Sequence, residues 1–482
     1  MKPATHRHLY AVKIVFGMVV VVWAFSGSPV AGAPPSPPNL LVILTDDQGY
    51  HDVGFNGCKD IPTPNLDSIA SNGVRFASGY VSSRLSSPSR AGLLTGRYQE
   101  RFGYERDPEW PPNDPGIGLP LTETTLADIL GQTGYVTGLI GKWHLGAHPE
   151  QHPLKRGFNE FYGFLGAGQP YLPEELIMDQ THKAKTEDGS RQIKLLSNYE
   201  PIKATNYLTD EFSEAAVHFI ARHQDQPFFL LLAYNAPHGP LEAPDKYLSR
   251  FSRILSPNRR TYAAMMSAVD DGVGGVLAEL RKDGLERQTL VVYLSASGGA
   301  LDVNSSDNYP LRGSRKDSWE GGWRVPFAMQ WPGNLPRGMV YDHPVLSLDI
   351  FATITALAKV PLNPAVPLDG VNLVPFLTGQ KTGAPHEAIY MRMPDLGAFA
   401  VRSDDYKLVI PATNQAPELY NLSQDIGELN NLAEERPAVI KDLENKGAAW
   451  SRQMKSPGSL GSTGSNAPQP IDTDAGRSKP GP

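Results

Sequence analysis

The feature that most limits how this chain can fold is a set of nearly continuous apolar runs, each short enough for one strand. They cover residues 39–44, 135–140, 228–233 and 289–294. Such runs are typical of strands buried on both faces, because helices cover both sides of a parallel sheet. Between them, apolar residues recur at helical spacing, most clearly over 261–282. This alternation predicts an α/β fold with a large, mostly parallel sheet flanked by helices.

The pattern changes near residue 371, where short strand-like pieces begin to alternate with turns. We therefore predict a main domain over 39–370 and a smaller C-terminal α+β subdomain over 371–454. Residues 455–482 are rich in Ser, Gly and Pro and have no apolar periodicity. That composition predicts a disordered tail.

The N-terminus has the three-part pattern of a secretory signal. Basic residues precede an apolar run over 14–25, and the small residues Ala31-Gly32-Ala33 follow it. This pattern predicts a signal peptide over 1–33, followed by a proline-rich spacer over 34–38. The alternative is an uncleaved anchor, although the apolar run is short for a membrane span.

The cysteine content and the net charge limit the cellular compartment and the partners that we expect for this chain. The only cysteine is Cys58, so no intrachain disulfide can form. An exported chain without disulfides fits a bacterial periplasm better than a eukaryotic secretory lumen, and we predict a secreted or periplasmic protein. The net charge of −7 argues against nucleic acid or an anionic membrane as partner, so we expect no stable membrane association. An anionic substrate would need a local basic pocket.

Polar residues that can carry chemistry follow the apolar runs. Asp46 and Asp47 follow the first run, Lys142 and His144 the second, and His238 the third. In open α/β sheets, ligands bind at the edge formed by the carboxyl ends of the strands. Two adjacent carboxylates at the end of a buried strand need compensation, commonly by a divalent cation. The alternative for the aspartates is a solvated turn.

The stretch 86–97 predicts a short helix with an anion-binding mouth. Pro88 suits the first helical position and Gly96 the residue past the helix end. Ser86 then lies at the N-terminus, where free N–H groups and the helix dipole favour an anion. Arg90, one turn later, can fold back over the same point. Ser86 is thus a candidate nucleophile or its precursor, unless it belongs to an ordinary serine-rich cap.

These motifs also resemble those of a known family. The sequence SSPSR at 86–90, followed by LTGR at 94–97, resembles the signature of the type I sulfatases in the alkaline-phosphatase superfamily. Further matches to that family are DDQGY at 46–50, GKWH at 141–144, PH at 237–238 and ELYNL at 418–422. The resemblance covers roughly residues 39–450 in the same order.

The resemblance implies a function and a modified residue. In the family, the first Cys or Ser of the signature is oxidised to formylglycine (3-oxoalanine), and Ser86 occupies that position. This chain would be a serine-type member that needs a serine-type formylglycine maturase. The implied reaction is the release of sulfate from a sulfated carbohydrate or an aryl sulfate ester.

The resemblance also implies a role for each matching residue. Lys142 and His238 would hold the sulfate and protonate the leaving oxygen. His144 would take a proton from the hydrated formylglycine, and Arg90 would orient that group. Arg315 falls where the family has a sulfate-binding lysine, so it would be a third substrate ligand.

The implied calcium site departs from the family pattern. Asp46, Asp47 and Ser86 match its ligands, but the fourth apolar run ends in SASGG where a pattern like SDNGG is expected. Ala296 has no ligand atom, and Ser297 offers a hydroxyl in place of an amide oxygen. Calcium takes six to eight oxygens and binds less tightly as anionic ligands are lost. We therefore expect one weakly bound calcium ion.

Two other functions are compatible with these residues. One is a catalytically impaired protein with the same fold that binds sulfated glycans without hydrolysing them. The other is a phosphoesterase of the same superfamily that uses unmodified Ser86 directly. That activity would require two metal ions and more metal-ligating residues than the sequence offers.

Overall fold

A computed structural model describes Met1 and residues 37–108, 116–173 and 195–456. The chain divides into a short unit, Met1–Ser36, and a large one, Pro37–Pro482, and the following description concerns the large unit. The predicted signal peptide, apart from Met1, lies outside the described residues, as do residues 34–36 of the spacer and 457–482 of the tail.

Strands and helices alternate through the first three quarters of the described chain. The strands are β1 Asn39–Thr45, β2 Val74–Phe76, β3 Gly79–Tyr80, β4 Val136–Lys142, β5 Glu160–Phe164, β6 Leu195–Ser197, β7 Glu200–Ile202, β8 Phe228–Ala233, β9 Thr289–Ser295, β10 Phe327–Gln330, β11 Met339–Tyr341, β12 Val345–Leu346, β13 Ile389–Met393, β14 Ala398–Ser403, β15 Tyr406–Ile410 and β16 Glu418–Asn421. The α-helices are α1 Pro64–Ser71, α2 Ser86–Thr95, α3 Leu126–Gly131, α4 Leu208–Arg222, α5 Asp245–Leu248, α6 Pro257–Lys282, α7 Leu301–Asn304, α8 Glu320–Trp323, α9 Leu348–Leu357, α10 Val374–Leu377 and α11 Pro437–Ser451.

Ten of the described strands form one large sheet in the order β11-β2-β10-β9-β1-β8-β4-β5-β6-β7. Its centre, β9-β1-β8-β4-β5, is parallel throughout. Antiparallel pairs lie toward both edges, where β10 pairs with β9 and β2, and β6 pairs with β5 and β7. The predicted α/β fold is therefore confirmed, with a mixed sheet that is parallel at its centre.

Both faces of the sheet are covered, which explains the continuous apolar runs. Along β1, Leu41 and Ile43 join a core with α4 and α6 on one face. Leu40, Val42 and Leu44 join a second core with α2, α3 and α9 on the other face. Each such side chain is at most 1% exposed, and burying one contributes about 1.5–3 kcal/mol to folding.

The C-terminal region forms a separate four-stranded antiparallel sheet, β13-β14-β15-β16, with α11 packed against it. This is the small α+β element that the sequence predicts, although its boundary at 370/371 remains a prediction. A buried ionic cluster joins it to α8: Lys407 Nζ on β15 lies 2.9 Å from Glu320 Oε1 and 2.9 Å from Glu428 Oε1. Glu320 also accepts a hydrogen bond of 2.6 Å from the hydroxyl of Tyr80 on β3.

Within the described residues, no helix is long and apolar enough to cross a bilayer.

Candidate active site

Ser86 is the first residue of α2 and is 4% exposed. The helix begins two residues earlier than predicted, because Leu85 is extended and the chain turns helical at Ser86, not at Pro88. It ends as predicted at Gly96, whose φ of 67° lies in the left-handed region. Ser86 therefore lies at the positive end of the helix dipole.

Two side chains from the end of β4 contact the Ser86 hydroxyl. Its Oγ lies 3.2 Å from His144 Nδ1 and 3.4 Å from Lys142 Nζ. The glycine that precedes the lysine permits this approach: Gly141 has a φ of 109°, and a Cβ there would lie 2.0 Å from the carbonyl oxygen of Ala233. The GKWH segment thus needs its glycine because β4 and β8 come into close backbone contact just before the site.

Lys142 forms an ion pair with Asp46, and both side chains are fully buried. Arg90 Nη1 donates to the carbonyl oxygen of Lys142 at 2.9 Å, and Arg90 Nη2 lies 3.5 Å from Asp46 Oδ2. Burial alone would raise the pKa of Asp46, but the charges of Lys142 and Arg90 outweigh it and hold that pKa below its usual value. Asp46 is therefore an anion held by two cations.

His144 is a buried neutral base. Burial, reinforced by the charge of Lys142, lowers its pKa well below the ordinary histidine value. Its φ of 59° is left-handed, a conformation that is strained for a non-glycine residue and clusters at functional sites. The neighbouring Ser87 helps to hold it there, since Ser87 Oγ donates to the His144 carbonyl oxygen at 2.5 Å.

Asp47, the second carboxylate after β1, is 1% exposed and faces a different cation. Arg315 Nη1 lies 2.8 Å from both carboxylate oxygens of Asp47. His238 Nε2 lies 3.8 Å from Asp47 Oδ2. The nitrogen His238 Nδ1 lies 2.7 Å from the carbonyl oxygen of Gly239. Because a carbonyl only accepts, Nδ1 carries a proton and Nε2 faces the site.

A buried amide connects the loops that carry Asp47 and His238. Asn304 Nδ2 donates to the carbonyl oxygen of Asp47 at 2.9 Å and to that of Pro237 at 3.3 Å. Asn304 has no exposed surface. The sequence alone gives no sign of this role, because a single asparagine in a four-residue helix has no pattern that indicates its partners.

Asp107 is a further acidic residue that the sequence analysis missed. Its Oδ1 lies 4.0 Å from His144 Nε2 and accepts a hydrogen bond of 3.2 Å from the backbone N–H of Ser87. Asp107 thus touches α2 and the histidine at the same time. Its position in a loop of irregular sequence gives no signal of this contact.

The residues for the implied calcium ion do not fit a calcium site. Ala296 offers no ligand atom and is buried at 2% exposure. The hydroxyl of Ser297 is engaged with Asp47: it lies 2.9 Å from Asp47 Oδ1 and accepts from the Asp47 backbone N–H at 3.2 Å. Within the described ranges, no group of three or more His, Cys, Asp or Glu residues could hold a metal ion.

The structure therefore brings the predicted residues together at one sheet edge, in two connected groups. The first surrounds Ser86 and the second surrounds Asp47. They are joined through the peptide bond between Asp46 and Asp47 and by a 3.5 Å contact from Ser297 Oγ to Asp46 Oδ1. The first group contains Asp46, Ser86, Arg90, Lys142 and His144, and the second contains Asp47, His238, Ser297 and Arg315.

Family models match most of the chain. The Sulfatase model matches residues 38–360. A second model, N-sulphoglucosamine sulphohydrolase, C-terminal, matches residues 315–452 and so covers the small antiparallel sheet.

Individual relatives agree with the family models. The chain is 30% identical over 511 residues to the uncharacterized sulfatase YdeN of Escherichia coli (87% of each chain), and 34% identical over 465 residues to human arylsulfatase A (85% of this chain and 86% of the enzyme). The solved structure of Ps i-CgsB in complex with k-i-k-neocarrahexaose superposes with a TM-score of 0.82 at 37% identity, over 88% of this chain and 94% of that one.

These similarities span both the large sheet, with the edge that carries the candidate site, and the small C-terminal sheet. One of the matched relatives is arylsulfatase A, and the match covers 86% of that enzyme. The chain belongs to the type I sulfatase family of the alkaline-phosphatase superfamily.

Proposed function

We propose that this sulfatase hydrolyses the sulfate ester of a carbohydrate, with formylglycine formed from Ser86 as its reactive group. The observation that carries the proposal is the position of the Ser86 Oγ, buried at a helix N-terminus between His144 Nδ1 and Lys142 Nζ. The net reaction consumes one water and one sulfate ester and yields inorganic sulfate and a free hydroxyl.

Unsatisfied donors around position 86 support the modified residue. Arg90 Nε and His144 Nε2 are buried, and within the described chain they have no hydrogen-bond partner. Arg90 Nη2 has only its 3.5 Å contact with Asp46. Buried polar groups almost always have partners in folded proteins. An additional oxygen at position 86, or a sulfate beside it, would supply acceptors at this place.

The hydrated aldehyde of formylglycine supplies the oxygen that attacks sulfur. His144, neutral because of its lowered pKa, is placed to accept a proton at the oxygen of residue 86 through Nδ1. Lys142 and Arg90 give the pocket the positive charge that stabilises sulfate oxygens as charge develops on them. His238 Nε2 faces the same space and is the group that we assign to move a proton to the leaving oxygen.

The carbohydrate substrate class rests on similarity. Ps i-CgsB, at 37% identity, is solved in complex with k-i-k-neocarrahexaose. We propose a sulfated oligosaccharide for this chain also, with an aryl sulfate as a convenient model substrate.

The first test is the chemical state of residue 86. The chain is co-expressed with a serine-type formylglycine maturase, and the mass of the peptide that contains residue 86 is measured by mass spectrometry. We expect the loss of two hydrogen atoms and an aldehyde that reacts with a hydrazide. Sulfate release from 4-nitrophenyl sulfate and from sulfated oligosaccharides should follow conversion and be absent in Ser86→Ala.

Two results would contradict the proposal. Sulfate release by protein with unconverted Ser86 would indicate direct use of the serine. Tight glycan binding by fully converted protein without any sulfate release would instead favour the non-hydrolytic binding protein.

We also propose export to the periplasm or outside the cell, with removal of residues 1–33. The support is the basic, apolar and small-residue pattern of that segment. N-terminal sequencing of protein from the native compartment should begin at residue 34, and an unprocessed N-terminus in the cytoplasm would contradict this.

A further inference from the structure

Arg315 occupies the place at Asp47 that a metal ion would need. Its Nη1 lies 2.8 Å from each carboxylate oxygen of Asp47, so one cationic nitrogen is shared by both oxygens. The contact is well shielded, since the Asp47 side chain is 2% exposed and that of Arg315 27%. One of the two aspartates therefore already has its charge neutralised.

The backbone fixes Arg315 in that place. Its N–H donates to the carbonyl oxygen of Gly299 at 3.1 Å, in the same loop that carries Ala296 and Ser297. The next residue, Lys316, points to the surface, where its Nζ lies 3.2 Å from the exposed Asp302. The chain thus directs the arginine into the site and the lysine away from it.

The other candidate calcium ligands already have ion-pair or hydrogen-bond partners within the protein. Asp46 is paired with Lys142, and Ser297 donates its hydroxyl proton to Asp47 Oδ1 at 2.9 Å. This hydroxyl also accepts from the Asp47 N–H at 3.2 Å, so its only proton and one of its two lone pairs are already in use. Calcium needs six to eight oxygens, and the donor set here is too small and too fully engaged.

The carboxylate charges are neutralised without a divalent ion. The two carboxylates Asp46 and Asp47 face three basic side chains, Lys142, Arg90 and Arg315, so positive charge is in excess. The family pattern would add a third carboxylate at position 296, which is alanine here. A loss of one negative charge removes part of the attraction that a doubly charged ion requires, and a calcium ion would be repelled by the nearby guanidinium.

We propose that this sulfatase holds its sulfate without calcium, with the Arg315 guanidinium as the cation on Asp47 and as a direct sulfate ligand. A guanidinium has five N–H donors, and the contact to Asp47 uses Nη1, so donors remain for a sulfate oxygen. The inference rests on the proposed function for the identity of the anion.

Calcium binding is tested on the full chain by isothermal titration calorimetry in metal-stripped buffer, together with metal analysis of the purified protein. We expect no saturable calcium binding by the wild type and no change of melting temperature with EDTA. The variant Ala296→Asp/Ser297→Asn/Arg315→Lys, which restores the family pattern, should gain calcium binding at one ion per chain. Saturable binding by the wild type at one ion per chain would overturn the proposal.

Sulfate binding is measured by the same method with sodium sulfate, with and without EDTA. The wild type should bind equally in both, and Arg315→Gln should weaken binding by about tenfold or more, as expected for loss of a charge-assisted contact. Lys316→Gln is the matched control and should bind as the wild type does. A requirement for calcium, or an equal loss in both variants, would contradict the role of Arg315.

These measurements separate the two proposals. They need no turnover, so a chain that never releases sulfate can still confirm or contradict the calcium-free site. A chain that binds calcium and hydrolyses sulfate esters would leave the proposed function intact and refute only this inference.

Discussion

The ammonium group of Lys142 and the carboxylate of Asp46 form an ion pair in which neither side chain has exposed surface. The lysine ends β4 and the aspartate follows β1, so the pair crosses the carboxyl end of β8, which lies between those strands. This ion pair connects the ends of β1 and β4 across β8. Each of its two partners can be replaced separately.

Replacement of Lys142 by methionine should destabilise the fold. The change leaves the Asp46 carboxylate buried, with the Arg90 guanidinium 3.5 Å away as its remaining cation. A single partner removed from a buried pair typically costs about 3–5 kcal/mol. We expect a loss of that size in the free energy of unfolding in urea for Lys142→Met. The exposed Lys155→Met is the control, and equal stability of the two variants would contradict the role of the pair.

Replacement of His144 by glutamine should remove the proposed base with little change in folding. Proton transfer by a positioned group contributes about 10²–10⁴ in rate, so kcat should fall by that factor in converted enzyme, while KM changes little. The measurement is steady-state kinetics on 4-nitrophenyl sulfate. The control is His218→Gln, an exposed residue of α4, and a similar loss in both would point to a general effect.

Asp107→Asn should lower kcat without unfolding the protein. The asparagine oxygen can still accept from the Ser87 N–H, but the negative charge 4.0 Å from His144 Nε2 is lost. That charge favours the imidazolium that forms when His144 accepts a proton. After allowance for solvent screening, we expect a decrease of about tenfold in kcat. Unchanged kcat, with conversion of Ser86 verified by mass, would show that Asp107 only caps the helix.

The stability of the fold should fall as the pH rises above neutrality, through His386. Its Nε2 lies 2.8 Å and 3.0 Å from the two oxygens of the buried Asp349. Burial would lower the pKa of His386, but Asp349 outweighs it and the pKa is raised. The protonated His386 therefore stabilises the folded state. This stabilisation is complete below the pKa of the histidine in the unfolded chain, about 6.5, and it is lost as the pH rises through the higher pKa in the folded protein.

Urea unfolding at about pH 6 and about pH 9 measures this effect. The wild type should lose more stability over that interval than His386→Gln. The variant His343→Gln, at an exposed histidine, should behave as the wild type does. A pH dependence that His386→Gln leaves unchanged would assign it to other groups.

The sequence is sufficient to predict the positions of the site residues that lie on or next to the central strands. Continuous apolar runs identify β1, β4, β8 and β9, and parallel strands bring their carboxyl ends together. For that reason the sequence alone predicts that Asp46, Lys142 and His144 lie at one edge of the sheet. Ser86 was placed correctly at the helix mouth, although the helix starts at Ser86 itself.

The contacts of the loops and the pairing of the edge strands could not be predicted from the apolar patterns of the sequence. The pairing of Arg315 with Asp47 depends on how the connection between α7 and α8 folds back over the sheet, and that connection has no periodicity. The sequence predicted Arg315 as a sulfate ligand but not its partner. Strands β6 and β7 have three residues each, too few to show alternation, so the antiparallel edge could not be predicted.

The amide of Asn304 has a consequence for how this enzyme can vary. One NH₂ group binds two carbonyls, those of Asp47 and Pro237, and so sets the positions of the two neighbouring side chains Asp47 and His238 together. Changes in loops that do not contact Asn304 can therefore accumulate without altering the spacing between Asp47 and His238. A change at residue 304, in contrast, would release both carbonyls in one step.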